Sequence, residues 1–467
     1  MSKSIVLLLV LVFLTGLCLI LSVPVKAASK TIVVPDDFPT ISSAIENALE
    51  GDTIFVKKGL YQEQILEINK PLLLVGEDPE ETILKLDPPL VEIWLFYSKI
   101  TVPVTAITIN TCDFKLSGFA VNMPAGMSAK EDIAMPGGLI AKGDRIELAD
   151  NKLSSSLKLS GALLNITNNE IVGSLIVDGS NQTVANNSII GSLESKGSFN
   201  RIIENAIDGE VNLRESSFNL IVGNSFSTIY MEHSDSNFIS CNAFSCLWVG
   251  FYGHTCSNNT VSNNTVSKNR VTGPGLWGIL MGAGSYNVFH DNLICNYAGS
   301  HDGYGIAMGG NHLVAEHNTF YRNILMNNSR HVSANWEILG AGNFWDNGEV
   351  GNYWDDYTGT DSNGDGIGDV PYMVKGCKWD DAAGGYVSFV FGQDNYPLMA
   401  PFDIDSVISD LPEEATPSWT PSHAPQLENT KPFLTALVIA ASAIVVFAAT
   451  GLLVYFKKHP LKLGGKT

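Results

Sequence analysis

The chain has 467 residues and a formal net charge of −20, from 48 acidic side chains against 28 basic ones. That balance excludes nucleic acid as a partner, because phosphate backbones bind basic surfaces and repel acidic ones. Charged residues make up only 16% while apolar residues reach 45%, and the apolar positions recur regularly, which excludes disorder for most of the chain.

Lys3 precedes an apolar run over residues 5–23, and Val25-Lys26-Ala27 offers a small-residue cleavage site, so residues 1–27 are predicted to be a secretory signal peptide. Export to an oxidising compartment permits disulfides among Cys112, Cys241, Cys246, Cys256, Cys295 and Cys377, whose pairing the sequence leaves open. Residues 28–145 are predicted to form an N-terminal cap and irregular first coils. Within them Thr40 is expected to cap a short helix that turns Ile41, Ala44, Ile45, Ala48 and Leu49 inward and ends near Gly51. Strands are predicted at 53–56, 72–75 and 82–86, and a helix beside them would cover an otherwise open sheet edge.

Residues 146–345 carry the strongest pattern. Asn, four residues, Asn occurs at Asn200/Asn205, Asn219/Asn224, Asn237/Asn242, Asn259/Asn264 and Asn287/Asn292, and an apolar residue stands two places after the second Asn, as at Ile207, Phe226 and Ile294. The series extends back through Asn187 and Asn169 to Asn151, in steps of 18 or 19 residues up to Asn242, and is predicted to run on through Asn264 and Asn292 to Asn318. A short fixed period means a solenoid. Amide side chains stacked about 4.8 Å apart can bond to the coils above and below and to buried turn backbone, and Asn tolerates the left-handed conformation a corner needs. Alternating pairs such as Leu175 with Val177 and Val211 with Leu213 read as strands. The predicted class is all-β, a parallel β-helix.

Coils after Gly250 are longer and repeat Trp277-Gly-Ile-Leu-Met281-Gly as Tyr304-Gly-Ile-Ala-Met308-Gly, so the inserts at 268–276 and 297–303 are candidate functional loops. Tyr230 and Trp248, and Trp277 and Tyr304, fall at equivalent positions of successive coils and are the candidate carbohydrate-binding residues, since stacked rings can hold sugar faces. Asp291, His301 and Asp302 are the candidate catalytic cluster for a polysaccharide hydrolase or lyase. The column Asp178, Lys196, Arg214, Glu232 alternates in sign and reads as a surface charge ladder. The histidines, methionines and cysteines between His233 and His331, among them His290 and Cys295, have the softness copper favours, yet their spacing matches no metal site, so copper is not expected.

Residues 346–408 are predicted to be a C-terminal cap. In it, Asp361, Asn363, Asp365 and Asp369 offer side-chain oxygens and Ile367 a carbonyl, with Gly366 at the turn, which is what calcium requires. Tyr372 stands where an EF-hand has Glu, so flanking helices are not expected and the ion would brace the cap. Residues 409–432 contain five prolines among Ser, Thr and Glu and read as an extended stalk. Residues 433–456 lack any charge and are long enough to span a bilayer, and the lysines of the tail, 457–467, place the C-terminus in the cytoplasm.

The opening Thr31-Ile-Val-Val-Pro-Asp-Asp-Phe-Pro-Thr-Ile, then Gly59-Leu-Tyr-Gln-Glu, the Asn-rich coils, Gly351-Asn-Tyr-Trp-Asp-Asp-Tyr and Asp394-Asn-Tyr-Pro-Leu-Met resemble NosD-type periplasmic β-helix proteins, a group that falls with the carbohydrate-binding and sugar-hydrolysis β-helix repeats. The resemblance spans residues 31–402 and implies a right-handed β-helix. NosD itself is an accessory factor for a copper enzyme, whereas this chain differs by its C-terminal membrane segment and its short coils. The expectation is a membrane-anchored, single-pass protein with its bulk outside the cell. It would bind surface glycans or envelope components, with polysaccharide cleavage or a copper-related accessory role as alternatives.

Overall fold

A computed structural model describes residues 29–404 and 406, except 96–97, 125–136, 250–264, 268–269, 273–275, 283, 298–302, 310–314, 335–341 and 381–383. The signal segment, stalk, membrane segment and tail lie outside the described residues. Among the described residues no helix is long and apolar enough to cross a membrane.

The strands form a parallel β-helix with three faces. One face is a thirteen-stranded sheet and a second a twelve-stranded sheet, and the third runs as seven strands and then five. Isolated bridges from Ala206 to Ser225 and from Ser225 to Ala243 join the two parts of the third face. Pairing is in register from coil to coil, so side chains with one period align in columns: Leu157, Leu175, Leu193, Val211 and Ile229 stack along the twelve-stranded sheet. All five are buried. Burial of each such side chain contributes roughly 1.5–3 kcal/mol, and repetition multiplies it along the axis.

The corner between two faces is filled by asparagine. Asn169 donates from its backbone N–H (2.9 Å) and its side-chain Nδ2 (3.0 Å) to Asn187 Oδ1, and Asn187 does the same to Asn205 at 3.0 and 2.9 Å. The row continues through Asn224 to Asn242. A second row runs through Gln182, Asn200, Asn219 and Asn237 at another corner. The left-handed residues are not the ladder asparagines but those just before them: Asp150, Asn168, Asn186, Glu204 and Cys241. The left-handed step turns the chain, and the following Asn, aimed inward by that turn, spans the coils.

The predicted extension to Asn318 is corrected. Asn292 donates to Asn323, 31 residues on, while Asn318 belongs to the other row, between Asn287 and Asn343. The insertion lies outside the pair, so the spacing inside Asn318/Asn323 is kept and the coil itself lengthens. The row through Asn323 ends at Asn352, whose backbone N–H donates to Asp394 Oδ2 at 2.7 Å.

Both ends are closed. The helix Ile41–Asn47 begins with a capping box of Thr40 and Ser43, and Glu63 accepts from the backbone N–H groups of Ile41 and Ser42. Leu49 is 66% exposed, against its expected inward position, because the chain leaves the helix in extended form at Ala48. At the C-terminal end an antiparallel hairpin, Tyr372–Asp380 with Gly385–Asp394, adjoins the last coil. Its cap is aromatic: Tyr372 stacks on Trp354 at 4.3 Å and Phe391 meets Trp345 edge to face.

Candidate functional site

The twelve-stranded sheet carries the candidate sugar-binding residues. Tyr230 pairs with Trp248, and Trp277 with Tyr304, in register; Tyr304 in turn pairs with Arg330. Tyr230 is half-buried and faces outward; the side chain of Trp248 lies outside the description. Leu280 and Ala307 continue the outward row of Tyr230, yet both are buried, so the sheet is open at Tyr230 and covered further along. Trp277 and Tyr304 share the strand parity of Ile279 and Ile306, which face the core, and remain half-buried because they stand at the strand start, on the corner. Gly278 and Gly305 follow them for a steric reason. A Cβ at Gly278 would come within 2.7 Å of the Tyr297 ring, and that tyrosine is fully buried with its hydroxyl donating to the Ser245 carbonyl. The charge column is in register as expected, with Asp178 beside Lys196, Lys196 beside Arg214 and Arg214 beside Glu232.

Of the candidate catalytic cluster, His301 and Asp302 lie outside the described residues. Asp291 is buried at a left-handed corner and is held from two sides, with Oδ2 2.5 Å from His290 Nδ1 and Oδ1 2.9 Å from Arg322 Nε. His290 stacks on Tyr321 of the next coil at 5.0 Å, and burial pushes the Tyr321 hydroxyl up from its ordinary pKa. An imidazole oriented through Nδ1 by a carboxylate is an arrangement suited to proton transfer at Nε2.

One cavity was not anticipated from the sequence. It has a volume of about 300 Å³ between the last coils and the hairpin, and its walls include Arg330, His331, Trp354, Asp355, Asp356, Tyr372 and Lys375. His331 is 8% exposed and lies on the strand Arg330–Ala334. Its Nε2 is 2.8 Å from Asp355 Oδ1 and 3.3 Å from Asp356 Oδ1. The two carboxylates follow the strand Tyr353–Trp354 on another face, so closure of the coil brings them to the histidine. Asn327 donates its backbone N–H to Asp355 Oδ2 at 2.6 Å, and Tyr372 donates its hydroxyl to Asp356 Oδ2 at 3.3 Å. Burial pushes Asp356 up, but the His331 hydrogen bond and charge, with help from Tyr372, outweigh it and leave the carboxyl below its ordinary value. Burial raises Tyr372 strongly, with the neighbouring aspartates adding to it, so its hydroxyl stays protonated.

In the predicted calcium loop, Asp361 Oδ1 accepts from Gly364 N–H (2.7 Å) and Oδ2 from Gly366 N–H (2.9 Å), while Asp369 Oδ2 accepts from Ser362 N–H (2.9 Å) and Ser362 Oγ (2.6 Å). Among the described residues, one set of three imidazole, thiol or carboxylate ligand atoms lies within 4.8 Å, and it is His331, Asp355 and Asp356. Met281, Met308 and Cys295 are buried, so the sulfur atoms expected to suit copper are packed in the protein rather than gathered as ligands. Among the described residues Cys112, Cys241, Cys246 and Cys295 form no disulfide with one another; Cys256 and the side chain of Cys377 lie outside the described residues.

These coils and columns define a parallel β-helix protein. Residues 165–359 match the family model described as NosD, periplasmic copper-binding protein. A search of curated protein sequences finds no match. Among solved structures it is similar to the Dettilon tailspike protein (gp208), at 14% identity and TM-score 0.40, covering 70% of this chain and 66% of that one. It is also similar to a PL6 alginate lyase complex with trisaccharide, at 11% identity and TM-score 0.37, over 63% and 85% of the two chains. The A-module of mannuronan C-5 epimerase AlgE6 from Azotobacter vinelandii gives 11% identity and TM-score 0.31, over 65% and 92%.

Proposed function

We propose that this protein is an exported β-helix, anchored by residues 433–456 with its bulk outside the cell, that binds surface glycans or envelope components on the corner led by Trp277 and Tyr304. The observation that carries the reading is the register of Trp277, Tyr304 and Arg330, a row of two half-buried rings and a guanidinium that runs to the wall of the 300 Å³ cavity. Rings spaced by a β-sheet repeat suit a polymer, and the guanidinium favours uronates or other acidic sugars. The test uses the soluble segment 28–408 with calcium, against neutral and acidic polysaccharides, with both protein depletion and new sugar ends measured. Depletion without new ends is expected, reduced in Trp277→Ala and Tyr304→Ala; a panel that depletes nothing sinks the proposal.

The His290–Asp291 pair favours a second reading, polysaccharide cleavage by proton transfer at His290. New sugar ends that vanish in Asp291→Asn would establish it. The loop at Asp361 is assigned to calcium as a brace of the cap, supported by the turn that both oxygens of Asp361 already organise. Calcium is expected to raise the thermal midpoint of the wild type and not of Asp361→Ala.

A further inference from the structure

We propose that His331 Nε2, Asp355 Oδ1 and Asp356 Oδ1 form a site for a divalent cation that takes nitrogen and oxygen ligands, of the zinc or manganese type. The site is separate from the oxygen-only loop at Asp361 and does not depend on glycan binding.

Distance is the first argument. Bonds of about 2.0–2.1 Å at tetrahedral angles hold neighbouring ligand atoms about 3.3 Å apart. Nε2 stands 2.8 and 3.3 Å from the two carboxylate oxygens, and all three atoms lie within 4.8 Å of one another. Both nitrogen–oxygen distances are therefore within a few tenths of an ångström of what a shared cation would set.

Orientation is the second. Each carboxylate spends one oxygen on a fixed donor, Asn327 N–H for Asp355 and the Tyr372 hydroxyl for Asp356, and turns the other oxygen to the same imidazole nitrogen. Donors behind the ligands are what hold metal-binding carboxylates in place. The His331 ring is fixed edge to face against Trp354. Asn328 Nδ2, a donor already committed to the Ile294 carbonyl at 3.1 Å, lies 3.4 Å from Nδ1, a contact too long to fix the ring in one tautomer.

The third argument is access. The cluster lies in the wall of the 300 Å³ cavity, and Asp356 is exposed there, so an ion can enter with waters in its remaining positions. One imidazole with two carboxylates is harder than the sulfur-rich sets that select Cu(I), so the set suits a harder divalent ion. Because His331 and the aspartates sit on different faces of the last coils, the ion would fasten that corner to the hairpin through Tyr372.

The test takes the full-length chain, stripped with chelator and held in excess calcium chloride so that oxygen-only sites are filled. It is then equilibrated with zinc chloride or manganese chloride, desalted and assayed for bound metal. One equivalent is expected in the wild type and none in Asp356→Asn or His331→Gln, and the wild type alone should gain several degrees in thermal midpoint. Asp356 is exposed, so that variant should fold with the metal-free midpoint of the wild type, and it decides the matter if His331→Gln does not fold. A wild type that retains no ion, or an Asp356→Asn variant that retains as much as the wild type, overturns the proposal; the first result would leave the cluster as an ion pair between imidazolium and carboxylates.

Discussion

Asn187 shows what one residue does in this fold. Its Nδ2 donates to the Ile166 carbonyl at 2.8 Å, the Ala185 carbonyl at 3.0 Å and Asn205 Oδ1 at 2.9 Å, and its own Oδ1 accepts from Asn169. Replacement by Ala would strand several buried groups at once, each worth about 1–3 kcal/mol when left unpaired. Asn187→Ala should therefore cost about 3 kcal/mol or more, read as a lower urea midpoint, whereas loss of exposed Asn168 should cost far less. Asp394 makes a different prediction. Burial raises its pKa to about 6 although Asn352 N–H, Trp354 Nε1 and Tyr396 N–H all donate to it. Its folded value exceeds the ordinary one, so its contribution is complete below about pH 4 and is lost as pH rises through about 6. That is a fall of up to about 3 kcal/mol. Thermal midpoints measured from pH 4 to 7 should show that fall in the wild type and not in Asp394→Asn. At this scale the ladder positions were legible because an amide recurring every coil has a unique use. Leu49 was misplaced because helical periodicity does not reveal where the helix stops.

The strand pairs with glycine at their second position explain themselves through packing rather than binding. Gly278 leaves room for the Tyr297 ring, and a Cβ there would also meet the Gly305 carbonyl at 2.7 Å. Gly278→Ala should destabilise by about 1–3 kcal/mol, and Tyr297→Leu in the same chain should recover part of it; equal losses in the single and double variants would show that the tyrosine is not the obstacle. The cavity cluster could not be read from the sequence, because His331 and Asp355 are brought together by closure of one long coil whose length no local pattern gives. The signal was present in Trp354-Asp355-Asp356, two acids beside a large aromatic, but nothing in the sequence pointed from them to His331. The row ending in Asn318 failed for the same reason, since once coils lengthen, the spacing inside a pair survives better than the spacing between pairs.

A solenoid of equal coils should tolerate the removal of a whole one. Deletion of residues 169–186 joins Asn168 to Asn187, which would then accept from Asn151 as Asn169 does now. That variant is expected to fold, with unchanged circular dichroism per residue and a somewhat lower midpoint, whereas removal of half that length should abolish cooperative unfolding by turning inward columns outward. The fold class was legible over the regular coils because their period is nearly invariant. The covered outer face at Leu280 and Ala307 was not, since strand alternation places both residues outward and says nothing of what lies over them.

The asparagine rows also have a sense. Among the described residues every link from one amide side chain to another runs from the N–H groups of one coil to the side-chain oxygen of the next, and the row through Asn323 and Asn352 arrives at a carboxylate. An amide both receives and passes on, whereas an ionised Asp only receives. Along this row a relay of amides advances coil by coil until it meets a side chain with nothing to hand forward, and there it stops.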